Sequence, residues 1–359
     1  MCKYFTQYKT HSERSVAGDL MPWILIALVI MITGIAALRF YIFVTRHNVS
    51  LHGKPYSYLY IKTGSNFHDV TKTLTGNGYL RHEKSFEWLA RRKHYDIKVK
   101  AGRYRLTEGM SNNELVNLLR SGRQEPVRIT IQNVRTKEDL AGKIGRHLET
   151  DSSALIRVFN DTRFLDRYEL TPASLFVIFL PNTYEFFWNT SADQLFARML
   201  HEQRRFWTSG RIKKAARLNL TIAEIVTLAS ILEKETNKKD EKPVMAGVYI
   251  NRLKKRIPLQ ADPTVIYAWN DYTINRVLTK HTEIRSPYNT YLNTGLPPGP
   301  ICIPSISSVD AVLNYEQHDY LYFCAKEDFS GYHNFAATLA GHNRNAKRYQ
   351  NELDKLKIK

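Results

Sequence analysis

The 359-residue sequence predicts an α+β protein carried on a single N-terminal transmembrane helix. Three observations predict it. A nearly uncharged apolar run fills residues 21–44. Short period-two stretches then alternate with amphipathic helical ones. Near the middle, one helix is apolar on almost every face and turns acidic only at its end.

The apolar run reads MPWILIALVIMITGIAALRFYIFV, with Arg39 its only charge. About 20 predominantly apolar residues span a bilayer. Arg39 is near enough to one end to snorkel, and Trp23, Tyr41 and Phe43 suit the two interfaces. A cleaved signal peptide would be shorter and end in small residues, whereas this run ends in bulky aromatics, so residues 21–45 are expected to be a retained anchor. Lys3, Lys9 and Arg14 precede it and Arg39, Arg46 and Lys54 follow, so the positive-inside count leaves its orientation open. No second span is expected after Val44.

Residues 46–123 read as a small α+β unit. Tyr58, Tyr60 and Lys62 alternate as in a strand, and Gly64-Ser65 turns into a helix carrying Phe67, Val70 and Leu74, which Gly76-Asn77-Gly78 ends. A second helix is expected around 85–92 and a strand at 102–106. Ser111 and Glu114 then form a capping box ahead of Leu115, Leu118 and Leu119. The larger unit, 124–359, opens with a strand at 127–131 and helices at 137–148 and 153–160. FVIFLPNTYEFF (176–187) is expected to be an aromatic-rich loop around a Pro181-Asn182-Thr183-Tyr184 turn, leading to a long helix at 192–206.

Thr221 and Glu224 form another capping box, so the acidic-ended helix starts near Ile222. Ile222, Ile225, Val226, Ala229 and Leu232 make one apolar stripe, and Leu228 and Ile231 make a second. Glu233 prolongs the first stripe and Glu235 the second. A carboxyl group against an apolar wall loses solvation of its charged form, and its pKa rises. A glutamic acid protonated near neutral pH is what a general acid for glycosidic cleavage needs. Helices also commonly turn polar where they leave a core, and the pair alone does not decide between these readings. Two residues apart, the two carboxylates point about 200° from each other, and the helix pattern does not choose between them.

The stretches that follow add weight to a site. Pro243 opens a helix, PVMAGVYINRLKKR, containing Asn251. Then come LQADPTVIYA (259–268), SPYNTY (286–291) and GLPPGPICIP (295–304), read as loops rich in Tyr, Asn, Gln, Asp, Pro and Gly. Rigid turns that present amides and rings suit a saccharide cleft, where sugar faces stack and hydroxyls find amides.

Composition agrees with a folded body: 43% hydrophobic and 12% aromatic residues exclude a mostly disordered chain. The net charge of +18 points to an anionic partner such as nucleic acid, anionic lipid or cell-wall polymer. The basic runs at 91–93, 213–214 and 254–256 are scattered and lack interleaved aromatics, so charge alone does not make this a nucleic-acid protein. Of the three cysteines, none pairs at metal-ligand spacing, and Cys302 and Cys324 are expected as free, buried thiols.

The sequence resembles the endolytic murein transglycosylase family (MltG, or YceG-like). The residues that carry the resemblance are ASILEKET (229–236), INRL (250–253), LQADPTV (259–265), YNTY (288–291) and GLPPGPI (295–301), with YLYF (320–323) and HNF (333–335) matching the family's closing strands. The match is loose before Phe176. It implies a LysM-like unit at 46–123 and a catalytic domain at 124–359, with residues 1–20 cytoplasmic and the body outside the bacterial cytoplasmic membrane. It also implies cleavage of the β-1,4 bond from N-acetylmuramic acid to N-acetylglucosamine within nascent strands, leaving a 1,6-anhydro end. One glutamate serves as acid and then base while the muramic 6-hydroxyl attacks, so neither a paired carboxylate nor a cofactor or metal is implied. The resemblance favours Glu235 as the acid, with Glu233 second. It marks Ser230, Asn251, Gln260, Asp262, Thr264, Tyr288, Asn289, Thr290, Tyr291, Gly295, Leu296, Pro297 and Pro298 as substrate-binding candidates. Glycan strands, the membrane and peptidoglycan synthases are the implied partners, with no nucleic acid. The competing reading is a non-catalytic, membrane-anchored scaffold that binds the wall. Two departures stand out: Asn182 replaces the family's usual Asp in the turn before the long helix, and Ser305 follows Pro304 where glycine is common.

Overall fold

The computed structural model describes residues 16–355. Cys2, Lys3, Lys9 and Arg14, which bear on the thiol and orientation readings, lie outside the described residues, as does most of the expected cytoplasmic segment 1–20. Helix α1 (Val16–Thr45) contains an apolar stretch, Trp23–Thr45, none of whose residues is buried by the protein. It is the one single helix among the described residues long and apolar enough to span a bilayer, consistent with a single-pass anchor.

The chain divides into two compact units between Glu125 and Pro126. In the first, β1 (Tyr56–Ile61) is followed by α2 (Phe67–Gly76), α3 (Glu83–Arg92), β2 (Gly102–Thr107) and α4 (Asn112–Ser121). β1 and β2 pair antiparallel, with Leu59 opposite Tyr104 and both buried. The Ser111–Glu114 capping box forms as the spacing predicts, and Gly122 ends α4 in the left-handed conformation that costs glycine least.

The second unit starts with β3 (Val127–Ile131), α5 (Lys137–Gly145), α6 (Ser152–Asn160), α7 (Thr162–Asp166) and a 3₁₀ turn at Leu175–Ile178. The expected aromatic loop at 176–187 is not a loop throughout. Its second half is β4 (Asn182–Phe186), antiparallel to β3, because Tyr184 and Phe186 alternate inward while Thr183 and Glu185 face out. α8 (Ala192–Phe206) and α9 (Ser209–Arg217) lead to α10 (Ile222–Glu235) and α11 (Lys242–Lys254). Within the next expected loop, α12 (Asp262–Trp269) forms, started by Pro263 in its first turn and ended by Asn270 in the left-handed region. Then come α13 (Thr279–Thr282), α14 (Ile306–Leu313), the antiparallel pair β5 (Tyr322–Ala325) and β6 (His333–Ala336), and α15 (Leu339–Lys355).

Two apolar cores fill this unit. One lies under β3, β4 and α5 to α8; the other surrounds α10 and is closed by α11, α12 and α14. Gly247 on α11 allows a close approach: a Cβ there would stand 2.5 Å from the Glu316 carbonyl oxygen, a backbone atom. Gly247→Ala is therefore expected to destabilise the protein by about 2 kcal/mol, readable in a denaturant titration. Cys302 is buried and Cys324 partly buried, and both thiols are free.

Candidate active site

Helix α10 brings the acids to the site. The box between Thr221 and Glu224 closes in both directions, and Ile225, Leu228, Ala229, Ile231 and Leu232 are wholly buried. Both apolar stripes pack, so the carboxylates that prolong them meet protein on both sides. Their surroundings differ.

Glu233 is held as a charged anchor. Its Oε2 accepts from Lys242 Nζ at 2.8 Å and from the hydroxyls of Ser305 and Ser308. Lys242 is itself 4% exposed and donates a second bond to Ser308 Oγ. Burial pushes the Glu233 carboxyl up, but these three donors more than offset it and hold it below the ordinary range.

Glu235 has no cation partner among the described residues. Its one side-chain donor is Tyr249 on α11, whose Oη gives a 2.6 Å bond to Oε1. Burial dominates and pushes the carboxyl up to about 7; the Tyr249 bond pulls the other way, and the nearby negative charge of Asp262 adds to the rise. Glu235 lines a cavity of about 280 Å³ together with Arg252, Gln260, Asp262, Tyr291, Tyr322, Phe323 and His342. The loop beyond it is pinned by buried Glu241, which accepts from Thr236 Oγ1 and from the backbone N–H of His333.

The floor of this cavity is a set of interlocked turns. Arg252, 7% exposed, donates to the Leu259 carbonyl at 3.0 Å and to Gln260 Oε1 at 2.7 Å. Gln260 has φ = 52°, a left-handed backbone that is uncommon outside glycine and concentrates at functional sites. Its N–H and that of Ala261 bond to Thr290, whose hydroxyl also meets Thr264 Oγ1 at 2.8 Å. Asn289 gathers the Thr282 and Ile284 carbonyls, each at 2.8 Å. This clasp leaves Tyr291 free to donate its hydroxyl to Asp262, whose carboxyl is pushed up by burial and pulled back by that bond.

Of the sequence candidates, the cavity thus brings together Glu235, Gln260, Asp262 and Tyr291. Ser230, Thr264, Asn289 and Thr290 are at most 1% exposed, so a glycan has no access to them, and they build the walls instead. Ser230 Oγ accepts from the Ile301 N–H at 3.0 Å. Asn251 holds the His318 and Tyr320 carbonyls. Tyr288 packs on Tyr267, with 4.7 Å between ring centroids. Gly295, Leu296, Pro297 and Pro298 form a separate turn that does not line the Glu235 cavity. Sequence reading passed over Tyr249, Arg252, Tyr322, Phe323 and His342 as site residues. Arg252 carried a usable signal, an arginine one position after a helical apolar stripe; His342 carried none, because α15 reads as a solvated helix.

The family model described as "YceG-like family" matches residues 59–348. This chain belongs to the YceG-like family. An endolytic murein transglycosylase of Bacillus subtilis is 31% identical over 305 residues, covering 80% of this chain and 83% of its own length. One of Streptococcus pneumoniae serotype 2 is 30% identical over 338 residues, covering 84% of this chain; this chain spans 60% of that protein. A crystal structure of a YceG-like protein from Listeria monocytogenes superimposes with a TM-score of 0.52 at 28% identity, covering 81% of this chain and 99% of that one. As a YceG-like protein, the chain puts its two departures in different places. Asn182 starts β4 and does not line the Glu235 cavity, whereas Ser305 caps α14 and bonds Glu233.

Proposed function

We propose that the protein is a membrane-anchored endolytic murein transglycosylase in which Glu235 is the acid and then the base. The carrying observation is the contrast between the two glutamates: Glu233 is tied to Lys242, while Glu235 faces the cavity with its carboxyl held at about 7. At neutral pH a substantial fraction of Glu235 carries the proton that the leaving glycosidic oxygen requires. Having given it up, the carboxylate can take the proton of the muramic 6-hydroxyl as that oxygen closes on its own anomeric carbon. No water enters the bond, and the product ends in a 1,6-anhydro ring. Asp262 places negative charge on the same cavity, where positive charge develops at the anomeric carbon. Buried Arg252 holds the Gln260 side chain at the cavity.

In this reading residues 46–123 are the LysM-like unit, supported by their strand–helix–helix–strand order, and 124–359 the catalytic domain. The anchor keeps the body on the outer side of the cytoplasmic membrane, beside the synthases that make its substrate. A scaffold function fits less well, since a purely binding surface has no use for a cavity-facing acid that has no ion pair among the described residues. Asp262 on the same cavity favours a second reading, a hydrolytic glycosidase with two carboxylates. The product decides. Mass analysis of strands treated with the full-length protein is expected to find anhydro ends, one water lighter than hydrolysed ends; reducing ends alone would establish hydrolysis instead.

The Tyr249 hydroxyl stabilises the ionised form of Glu235, so removing it raises the carboxyl further. Tyr249→Phe is expected to move the alkaline limb of the pH–rate profile upward by about one pH unit, the worth of a charge-assisted hydrogen bond.

A further inference from the structure

A second cavity, of about 50 Å³, lies against α12 and shares no lining residue with the Glu235 cavity. Arg135, from the loop after β3, and Lys234, from the last turn of α10, line it together with Tyr267, Tyr272 and Ile301. The Arg135 guanidinium lies 4.9 Å from the Tyr272 ring centroid. Both cations are partly buried, and neither takes part in an ion pair among the described residues.

The neighbouring groups do not supply the missing charge. Glu233 is committed to Lys242. Burial pushes the Cys302 thiol up to about 12 against the pull of Lys234 and Arg135, so it stays neutral. Glu138 and Asp139 are exposed; Glu138 acts on the phenols of Tyr267 and Tyr272, and Asp139 accepts from the backbone N–H of Arg135 at 3.3 Å, but neither forms an ion pair with either cation among the described residues. Two partly buried cations line one small cavity, where an incoming anion would meet both charges at once.

We propose that this pocket is a carboxylate subsite that takes an acidic group borne by the glycan strand. The inference rests on the murein reading above and adds to it a recognition element. Lys234 adjoins Glu235 and Pro263 adjoins Asp262, so the pocket and the cleavage cavity share the last turn of α10 and the first turn of α12. A polymer cut at Glu235 has its neighbouring units beside the basic pair. The hydroxyls and acetamido groups of murein sugars are neutral; its anions are the carboxylate of the lactyl ether and those of the attached peptides. The cavity, about 50 Å³ against the roughly 30 Å³ share of one water in the liquid, has room for about one such group. Arginine offers the planar fork that a carboxylate accepts, and the two tyrosine rings close the sides.

The test measures binding to the full-length Glu235→Gln protein, so that no strand is consumed. Three probes are used: strands stripped of peptide, with free lactyl carboxylates; strands carrying peptides; and stripped strands whose carboxyls are converted to methylamides. At least one carboxylate-bearing probe is expected to bind about tenfold more tightly than the methylamide, and adding Arg135→Gln or Lys234→Gln is expected to erase that difference, with Arg135→Lys restoring part of it. Preference for stripped strands assigns the lactyl carboxylate, and preference for peptide-bearing strands assigns the peptide. Equal affinity for charged and methylamidated strands overturns the proposal without any change to the pocket, as does failure to bind any probe. Carboxylate-dependent binding without anhydro product from the wild type would overturn the enzymatic reading and leave the subsite standing.

Discussion

Glu235→Gln is expected to lower strand cleavage by about a thousandfold and, in the same protein, to raise stability above neutral pH. The two effects have one cause. The glutamine amide keeps the shape and still accepts the Tyr249 hydroxyl, but it has no proton to give to the leaving oxygen and no charge to desolvate. In the folded wild type the carboxyl titrates at about 7, against an ordinary value of 4.5. Between those values the folded protein holds a proton that the unfolded chain has released, so raising the pH through this window costs stability. The full difference, on the order of 3 kcal/mol, is present above pH 7 and vanishes below about pH 4.5. Thermal unfolding of both proteins at pH 4.5 and pH 8 checks the sign. A glutamine variant equal to wild type at both values would mean that Glu235 is solvated, and the argument for it as the acid would fail with it. Such an opposition between stability and activity is expected where a charge is kept short of partners for chemistry.

Much of this frame is legible in the sequence because local physics decides it. The long apolar N-terminal helix follows from hydropathy alone, and the capping boxes at Ser111 and Thr221 form where their spacing puts them. α10 is legible as buried because it has no polar face until its last turn. What escaped notice depends on partners distant in the chain. The 182–186 stretch becomes a strand through pairing with β3, and an apolar aromatic run by itself fits loop or strand. α12 is masked by a proline that reads as a loop signal but lies in the first turn, where it is tolerated. The site shows the same division. Glu235 is marked by its apolar stripe, and Gln260, Asp262 and Tyr291 by the composition of their stretches and by the family resemblance, yet the same signals also marked Thr264, Asn289 and Thr290, and the resemblance marked Ser230, all of which are buried. Access is the difference, and no sequence spacing encodes it. The two glutamates are the sharpest case: on the helix they are equivalent, and only Lys242, Ser305 and Ser308, brought in by α11 and α14, separate them.

Lys242→Met is expected to destabilise the protein by about 3 kcal/mol at pH 7, the cost of leaving a buried charge without its counter-ion. Lys242 is the inner partner, 4% exposed. The sign of the pH dependence is opposite to that of Glu235. Glu233 titrates below its ordinary range when folded, so its pair contributes fully above about 4.5 and loses that contribution as the pH falls through the folded value. In Lys242→Met the two serine hydroxyls remain, but they do not neutralise the charge, and the carboxyl takes up a proton more readily. The deficit of the variant should therefore be largest at neutral pH and shrink toward pH 4. Adding Glu233→Gln removes the orphaned charge, and the double variant is expected to recover more than half of the loss, since deleting both members of a buried pair costs far less than deleting one. The same double variant separates the two glutamates functionally. With Glu235 and Tyr249 untouched, it should still cleave strands with an alkaline limb near pH 7; loss of that limb would move the acid to Glu233.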